Sequence, residues 1–190
     1  MSPLRNLPPL TLMGLLLAGF PAQAGERPQL FPTRDVDIIY DVTRPQEPKY
    51  RERVRWLASE GLERIDGADK SSTIFNRNAR EITLISPASR TYRKLEGTQG
   101  RPPVPEAGVS LRRGSEVVIA GLRCVDWSWT DDVVTHTVCA TEDGVLLRHV
   151  ADGQTIRQAH SVTYAQQRPD LFQVPPDYAP ALAPEGGTGD

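Results

Sequence analysis

Both cysteines, all three histidines and two of the three tryptophans of this 190-residue chain fall within residues 124–162. An imidazole can carry a proton at neutral pH, ligate a metal or set a polar point into an apolar wall. Two cysteines without C-x-x-C spacing in an exported chain read as a structural disulfide. Which chemistry is available depends on which side chains share a face, and three turns address that. Asp131-Asp132, Asp143-Gly144 and Asp152-Gly153 read as two-residue hairpin loops. The first pairs Thr130 with Val133 and sets Cys124 opposite Cys139, within disulfide reach.

The same register gathers Trp127, Trp129, Val134, His136, Val138, Leu147, His149, Ile156, His160, Val162 and Tyr164 on one face. Trp127 stands across from His136, and His149 across from Ile156. Asp126, Ser128, Thr135, Thr137, Arg148 and Arg157 share the other, wetter face with the disulfide. The expected wall of a packed core or an apolar cavity is therefore Trp127, Trp129, His136, Val138, Leu147, His149, Ile156 and His160. His160 pairs with Val145, four residues along the strand from His149, an offset of about 13 Å. Three imidazoles cannot share a zinc across that gap, so no metal site is expected. The chain has no G-x-S-x-G, H-E-x-x-H, C-x-x-C, P-loop or dinucleotide fingerprint, and neither catalytic residues nor a cofactor are expected.

The elements that must position this face are strands. From Arg34 onward the chain reads as short period-two runs broken by turn residues, with no long stretch of helical period. Val36, Ile38, Tyr40 and Val42 alternate with Asp35, Asp37 and Asp41. Val54, Trp56 and Ala58 alternate with Arg51, Arg53 and Arg55. A hairpin that joins the two apolar faces sets aspartates beside arginines, an exposed ladder that helps to fix register. Further strands are expected near residues 62–65, 73–75, 81–85, 90–95 and 116–119, continuing to 165. Residues 97–114, with three prolines, are too long for a plain hairpin loop and read as a lid, a binding loop or a disordered segment.

Arg5, an apolar run over residues 10–20 and Ala22-Gln23-Ala24 have the order of a secretory signal peptide, which makes residues 1–24 a leader. The apolar run is too short to span a bilayer, and no cysteine follows it to carry a lipid. The expectation is a soluble periplasmic protein, with one domain over residues 25–179 and a disordered tail at 180–190. With 22 basic against 24 acidic residues, the chain offers no basic field for nucleic acid.

The order VDIIYDV, YRERVRWLASEGLERID, ITLISPASRTYRKL, the CVDW and TVCATEDGVLLR cysteine hairpin, and DLFQVPPDY resembles an exported bacterial family of unknown function. Its fold is similar to that of the LolA/LolB lipoprotein carriers. The resemblance implies an all-β fold with little helix, a strongly curved open half-barrel of mainly antiparallel strands, about ten to eleven in number. It also implies a concave side that holds acyl chains, with residues 97–114 as the cover. The expected function is non-enzymatic binding of a lipophilic small molecule or acylated protein in that concavity. The alternative is an envelope protein-interaction or sensor module, and the third reading an unrecognised hydrolase.

Overall fold

A computed structural model describes residues 27–97, 104–105, 108–131 and 133–181. The expected leader, most of the expected tail and part of the 97–114 segment lie outside these residues. Twelve strands form one open sheet: β1 (Val36–Val42), β2 (Tyr50–Leu57), β3 (Leu62–Asp66), β4 (Ser72–Asn76), β5 (Glu81–Ser86), β6 (Thr91–Glu96), β7 (Arg112–Ile119), β8 (Leu122–Asp131), β9 (Val134–Ala140), β10 (Leu146–Ala151), β11 (Gln154–Thr163) and β12 (Ala179–Pro180). The helical element among the described residues is a single 3₁₀ turn, Pro169–Phe172.

The order across the sheet is β12-β6-β5-β4-β3-β2-β1-β11-β10-β9-β8-β7. Two antiparallel meanders, β1 to β6 and β7 to β11, are therefore joined side by side where β1 pairs with β11. This order accounts for the long connection after β6. The chain must pass from near one edge of the sheet to the other, ten interstrand steps or roughly 48 Å along the sheet. The connection from 97 to 111 reaches at most about 50 Å when fully extended. A curved sheet brings its edges closer and relieves that demand. Curvature is also evident in the core, where Trp56 of β2 and Leu146 of β10 line the same cavity.

The alternation in β1 and β2 works as expected. Val36, Ile38, Tyr40 and Val42 pair with Trp56, Val54, Glu52 and Tyr50, and Asp37 and Asp41 stand opposite Arg55 and Arg51. Arg51 Nε donates to Asp41 at 2.9 Å, and Arg53 grips Asp37 through two nitrogens. Carried through the registers, the inner face continues with Glu63 and Ile65 of β3, Thr73 and Phe75 of β4, Ile82 and Leu84 of β5, and Arg93 and Leu95 of β6.

The outer face of the same strands is covered where it is apolar. Leu57 and Leu62 pack against Phe172 of the 3₁₀ turn. Arg64 links that cover to the sheet by donating to the Leu171 carbonyl, to Ser72 Oγ and to Asp66. Burial resists ionisation of Asp66, but hydrogen bonds from Ser72 and Arg64 and the nearby Arg55 outweigh it. They hold its carboxyl below the ordinary aspartate range.

Three details correct the register expected for the second meander. The first hairpin closes between Asp131 and Val134, so Trp129 faces His136 and Trp127 faces Val138. The slip moves each strand by one residue and preserves the faces, because the pairing sum changes by two. Cys124 and Cys139 consequently sit diagonally, and they are bonded, with Cα atoms 5.4 Å apart. At the second hairpin Thr141 and Val145 hydrogen-bond around Glu142, Asp143 and Gly144, and an irregularity at Leu147 then restores the expected register. At the third, Ala151 pairs with Gln154 as expected, but a bulge at Ile156 exchanges the faces beyond it. Arg157 thus moves to the face of His149, and a second bulge at His160 returns Val162 to the inner side beside Ile38.

The disulfide is not on a wet face. Cys124 and Cys139 are 2% and 0% exposed and belong to the main apolar cluster with Val145, Leu147 and Ile119.

Candidate functional site

The inner face is one apolar trough with a few polar points. Near β1 and β2 it is built from Val36, Ile38, Tyr40, Val54 and Trp56, all buried. Toward β8 and β9 it continues with Trp127, Trp129, Val138, Ala140 and Leu146, against which Leu30, Val109 and Leu111 pack. Toward β6 the cover thins. Phe75 and Ile82 are 4% exposed, whereas Leu84 and Leu95 on the same face are 38% and 40% exposed.

Of the residues expected to form the wall, Trp127, Trp129 and Val138 lie in this trough with His136 and His149 beside them. Leu147 stands at a bulge in the disulfide's cluster, and Leu146 takes the place expected for it. Ile156 is half-buried at its bulge. His160 is apart from the others: it is exposed, with Nδ1 3.2 Å from Asp41 and 3.3 Å from Arg51. The bulges that move it are invisible to a count of residues between turns.

His136 and His149 stack with ring centroids 5.4 Å apart, and His136 Nδ1 lies 3.2 Å from His149 Nε2. His136 Nε2 lies 3.1 Å from Asp131 Oδ1. An ionised carboxylate only accepts, so His136 carries a proton on Nε2 and, while neutral, accepts at Nδ1 from His149 Nε2–H. Burial, with Arg157 and His136 adding, pulls the His149 pKa down to about 4 and keeps that ring neutral at pH 7. The pair is an oriented polar patch in an apolar wall. Among the described residues no hydroxyl is hydrogen-bonded to any of the three imidazoles.

Sequence reasoning missed the other half of the site. Arg157 is buried beneath the trough, 3.4 Å from Glu52 and 4.7 Å above the Tyr40 ring. Tyr40 donates to the Leu146 carbonyl. Burial pushes its pKa up to about 12; Arg157 opposes the rise and Glu63 and Glu52 add to it. The alternation of β1 and β2 had marked Tyr40 and Trp56 as buried. Nothing in it signalled that β11 and β10 would bring Arg157 and His149 alongside.

The trough is occupied by the chain's own residues. Leu30, Phe31 and Pro32 lie in it with Val104 of the long connection, leaving a cavity of about 30 Å³ bordered by Ile38, Tyr40, Val54, Trp56, Leu146 and Arg157. That is room for about one water molecule. Phe31 stacks on Trp56 with centroids 6.0 Å apart, and the Arg77 guanidinium lies near both rings, 3.1 Å from the Phe31 centroid and 5.6 Å from that of Trp56.

No protein-family model and no curated protein matches the chain. Solved structures do. An uncharacterized conserved protein from Thermus thermophilus overlays with a TM-score of 0.56 at 12% identity, covering 78% of this chain and 90% of that one. MucB overlays with a TM-score of 0.54 at 13% identity, covering 79% of this chain. The chain spans 60% of the MucB chain's length. MucB in complex with MucA(peri) gives 0.50 at 15% identity, covering 78% of this chain and 57% of that one. A LolA superfamily protein from Nitrosomonas europaea overlays more loosely, with a TM-score of 0.38 at 12% identity over 76% of this chain and 92% of that one. For the first three, at these identities, the likeness is one of fold, and the open antiparallel sheet of this chain is the fold implied by the resemblance in the sequence.

Proposed function

We propose that the protein is an exported, non-enzymatic binding module that takes a lipophilic ligand, or the apolar part of an acylated partner, on the inner face of its curved sheet. The observation that carries this reading is the trough itself. It is an apolar strip from Trp129 to Leu95, interrupted by a few polar side chains such as Glu63, Thr73 and Arg93, already filled over part of its length by an apolar segment that belongs to no strand and uncovered near Leu84 and Leu95. A domain whose core were only structural would have no need to run that strip to an exposed end. Sites for lipophilic molecules combine such walls with a few placed polar groups, here His136, His149 and Arg157. The disulfide suits an oxidising compartment.

The test is lipid extraction and mass spectrometry of the protein purified from its native envelope, with a titration of a dansyl-labelled fatty acid. A defined co-purifying lipid and saturable binding support the reading. Neither, in a folded protein with its disulfide intact, contradicts it.

A second reading, an envelope protein partner, is favoured by one comparison: MucB, which shares the fold, is found in complex with MucA(peri). Crosslinking in living cells that captures one defined protein, from a chain that extracts free of lipid, would favour it over the first.

A further inference from the structure

Residues 27–34 make no strand, and among the described residues a main-chain hydrogen bond from Thr33 N–H to the Asp143 carbonyl at 2.9 Å ties them to the hairpin turn. The segment nevertheless lies in the trough, with Leu30, Phe31 and Pro32 partly buried against its wall. Its seating depends on one glycine. Gly144 has φ +92, and a β-carbon there would fall 2.2 Å from the Phe31 carbonyl oxygen and 2.7 Å from Gln29 Cγ. Nothing larger than hydrogen fits between the turn and the segment.

Just beyond the seat the segment is pinned by charge. Arg34 Nε donates to Asp143 Oδ2 at 2.7 Å and its guanidinium lies 3.5 Å above the Tyr164 ring. Upstream of these pins, Leu30, Phe31 and Pro32 pack on the apolar wall, with the Arg77 guanidinium over the Phe31 ring and Gln29 Nε2 donating to the Phe31 carbonyl; the apolar part of this seating is what an apolar competitor can supply.

We infer that the seat of Leu30, Phe31 and Pro32 is the ligand site, and that an acyl chain or similar lipophilic ligand binds by displacing this segment while Arg34 and Asp143 keep it tethered. The inference rests on the binding function proposed above and adds where the ligand goes and what leaves. The seat left behind is lined by Ile38, Val54, Trp56 and Leu146, with Tyr40 and Arg157 at its base. Glu63 also borders it, and Arg157 is paired with Glu52, so a slender apolar chain matches that lining better than a flat polar molecule does. The wild-type protein then binds through a minority open state, and its apparent affinity is reduced by the fraction of time that the seat is vacant.

The experiment uses the full exported chain, dansyl-undecanoic acid as probe, and hydrogen exchange read peptide by peptide. Saturating probe is expected to speed exchange across residues 29–34, the Thr33 amide included, although a ligand ordinarily slows exchange where it binds. Gly144→Ala, which has no room for Phe31 in its seat, is expected to bind the probe about tenfold tighter, as for a wild-type seat vacant about one time in ten. Should that variant fail to fold, Phe31→Ser weakens the same contact and is expected to shift affinity in the same direction. Saturable binding with exchange at 29–34 unchanged or slowed, or with equal affinity in wild type and variants, overturns the displacement and leaves the binding function standing. No saturable binding by any of the folded proteins removes both.

Discussion

Nε2 of His149 lies 3.2 Å from Nδ1 of His136, and the Asp131 carboxylate lies 3.1 Å from the far side of the His136 ring. The chain of three makes His149 a donor, and its burial beside Arg157 keeps it neutral. Its folded pKa of about 4 is below the ordinary value of 6.5, so protons favour the unfolded chain. Stability from this group is full above about pH 6.5, is lost as the pH falls toward 4 and changes no further below that. The loss is on the order of 3 kcal/mol. Urea unfolding at pH 7, 5.5 and 4.5 should record it, and His149→Gln, which does not titrate, should flatten the profile across that window.

The disulfide closes a short loop, with a sequence separation of 15, and lies on the strand face opposite Trp127. Cys124→Ser should therefore cost about 3 kcal/mol, or roughly 10 °C in Tm for a domain of this size. Probe affinity measured on the folded variant should stay within about twofold of wild type. A large loss of affinity with little loss of Tm would mean that the bond shapes the trough after all.

Arg64 carries the C-terminal cover. Its bonds to Leu171, Ser72 and Asp66 join the 3₁₀ turn to β3 and β4. Arg64→Ala should cost about 2 kcal/mol, a charged hydrogen-bond network lost from a half-buried place, and should speed hydrogen exchange at residues 169–174. Because hydrogen bonds hold Asp66 below the ordinary carboxylate range, its share of stability is present above about pH 3.8 and disappears as the pH falls through its folded value. That loss lies below the window set by His149, so the two can be told apart in one pH series of wild type and variant.

The exposed ladder should matter little. Asp41 and Arg51 are more than half exposed, and their bond is strongly hydrated. Asp41→Asn should change stability by less than about 1 kcal/mol in thermal unfolding, and by less still in high salt.

Much of the architecture was legible because a strand with one wet and one buried face repeats every two residues. β1 and β2 announced their apolar faces and their Asp–Arg ladder, and the Asp152-Gly153 turn gave the third hairpin its register. What could not be read was any residue that breaks the period. One extra residue at Ile156 moved Arg157 from the wet face to the floor of the trough, and another at His160 turned that imidazole out to Asp41. No residue type marks such a bulge; it is decided by how β11 must bend to pair with both β10 and β1. Leu30 and Phe31 were missed for a related reason. Their segment has no period at all, because it is held by the surface that it fills and by the empty place at Gly144.

The claim that the inner face of the sheet is the binding surface is tested most directly by photo-crosslinking with a diazirine-bearing fatty acid, mapped by mass spectrometry. The inner and outer faces carry different apolar residues, so the labels separate the possibilities. The account predicts saturable labelling of Trp56, Leu146, Phe75 or Leu95, suppressed by excess unlabelled fatty acid. Labelling confined to Leu171, Phe172 and the outer side of β3 to β5, or labelling that rises linearly without competition, would contradict it.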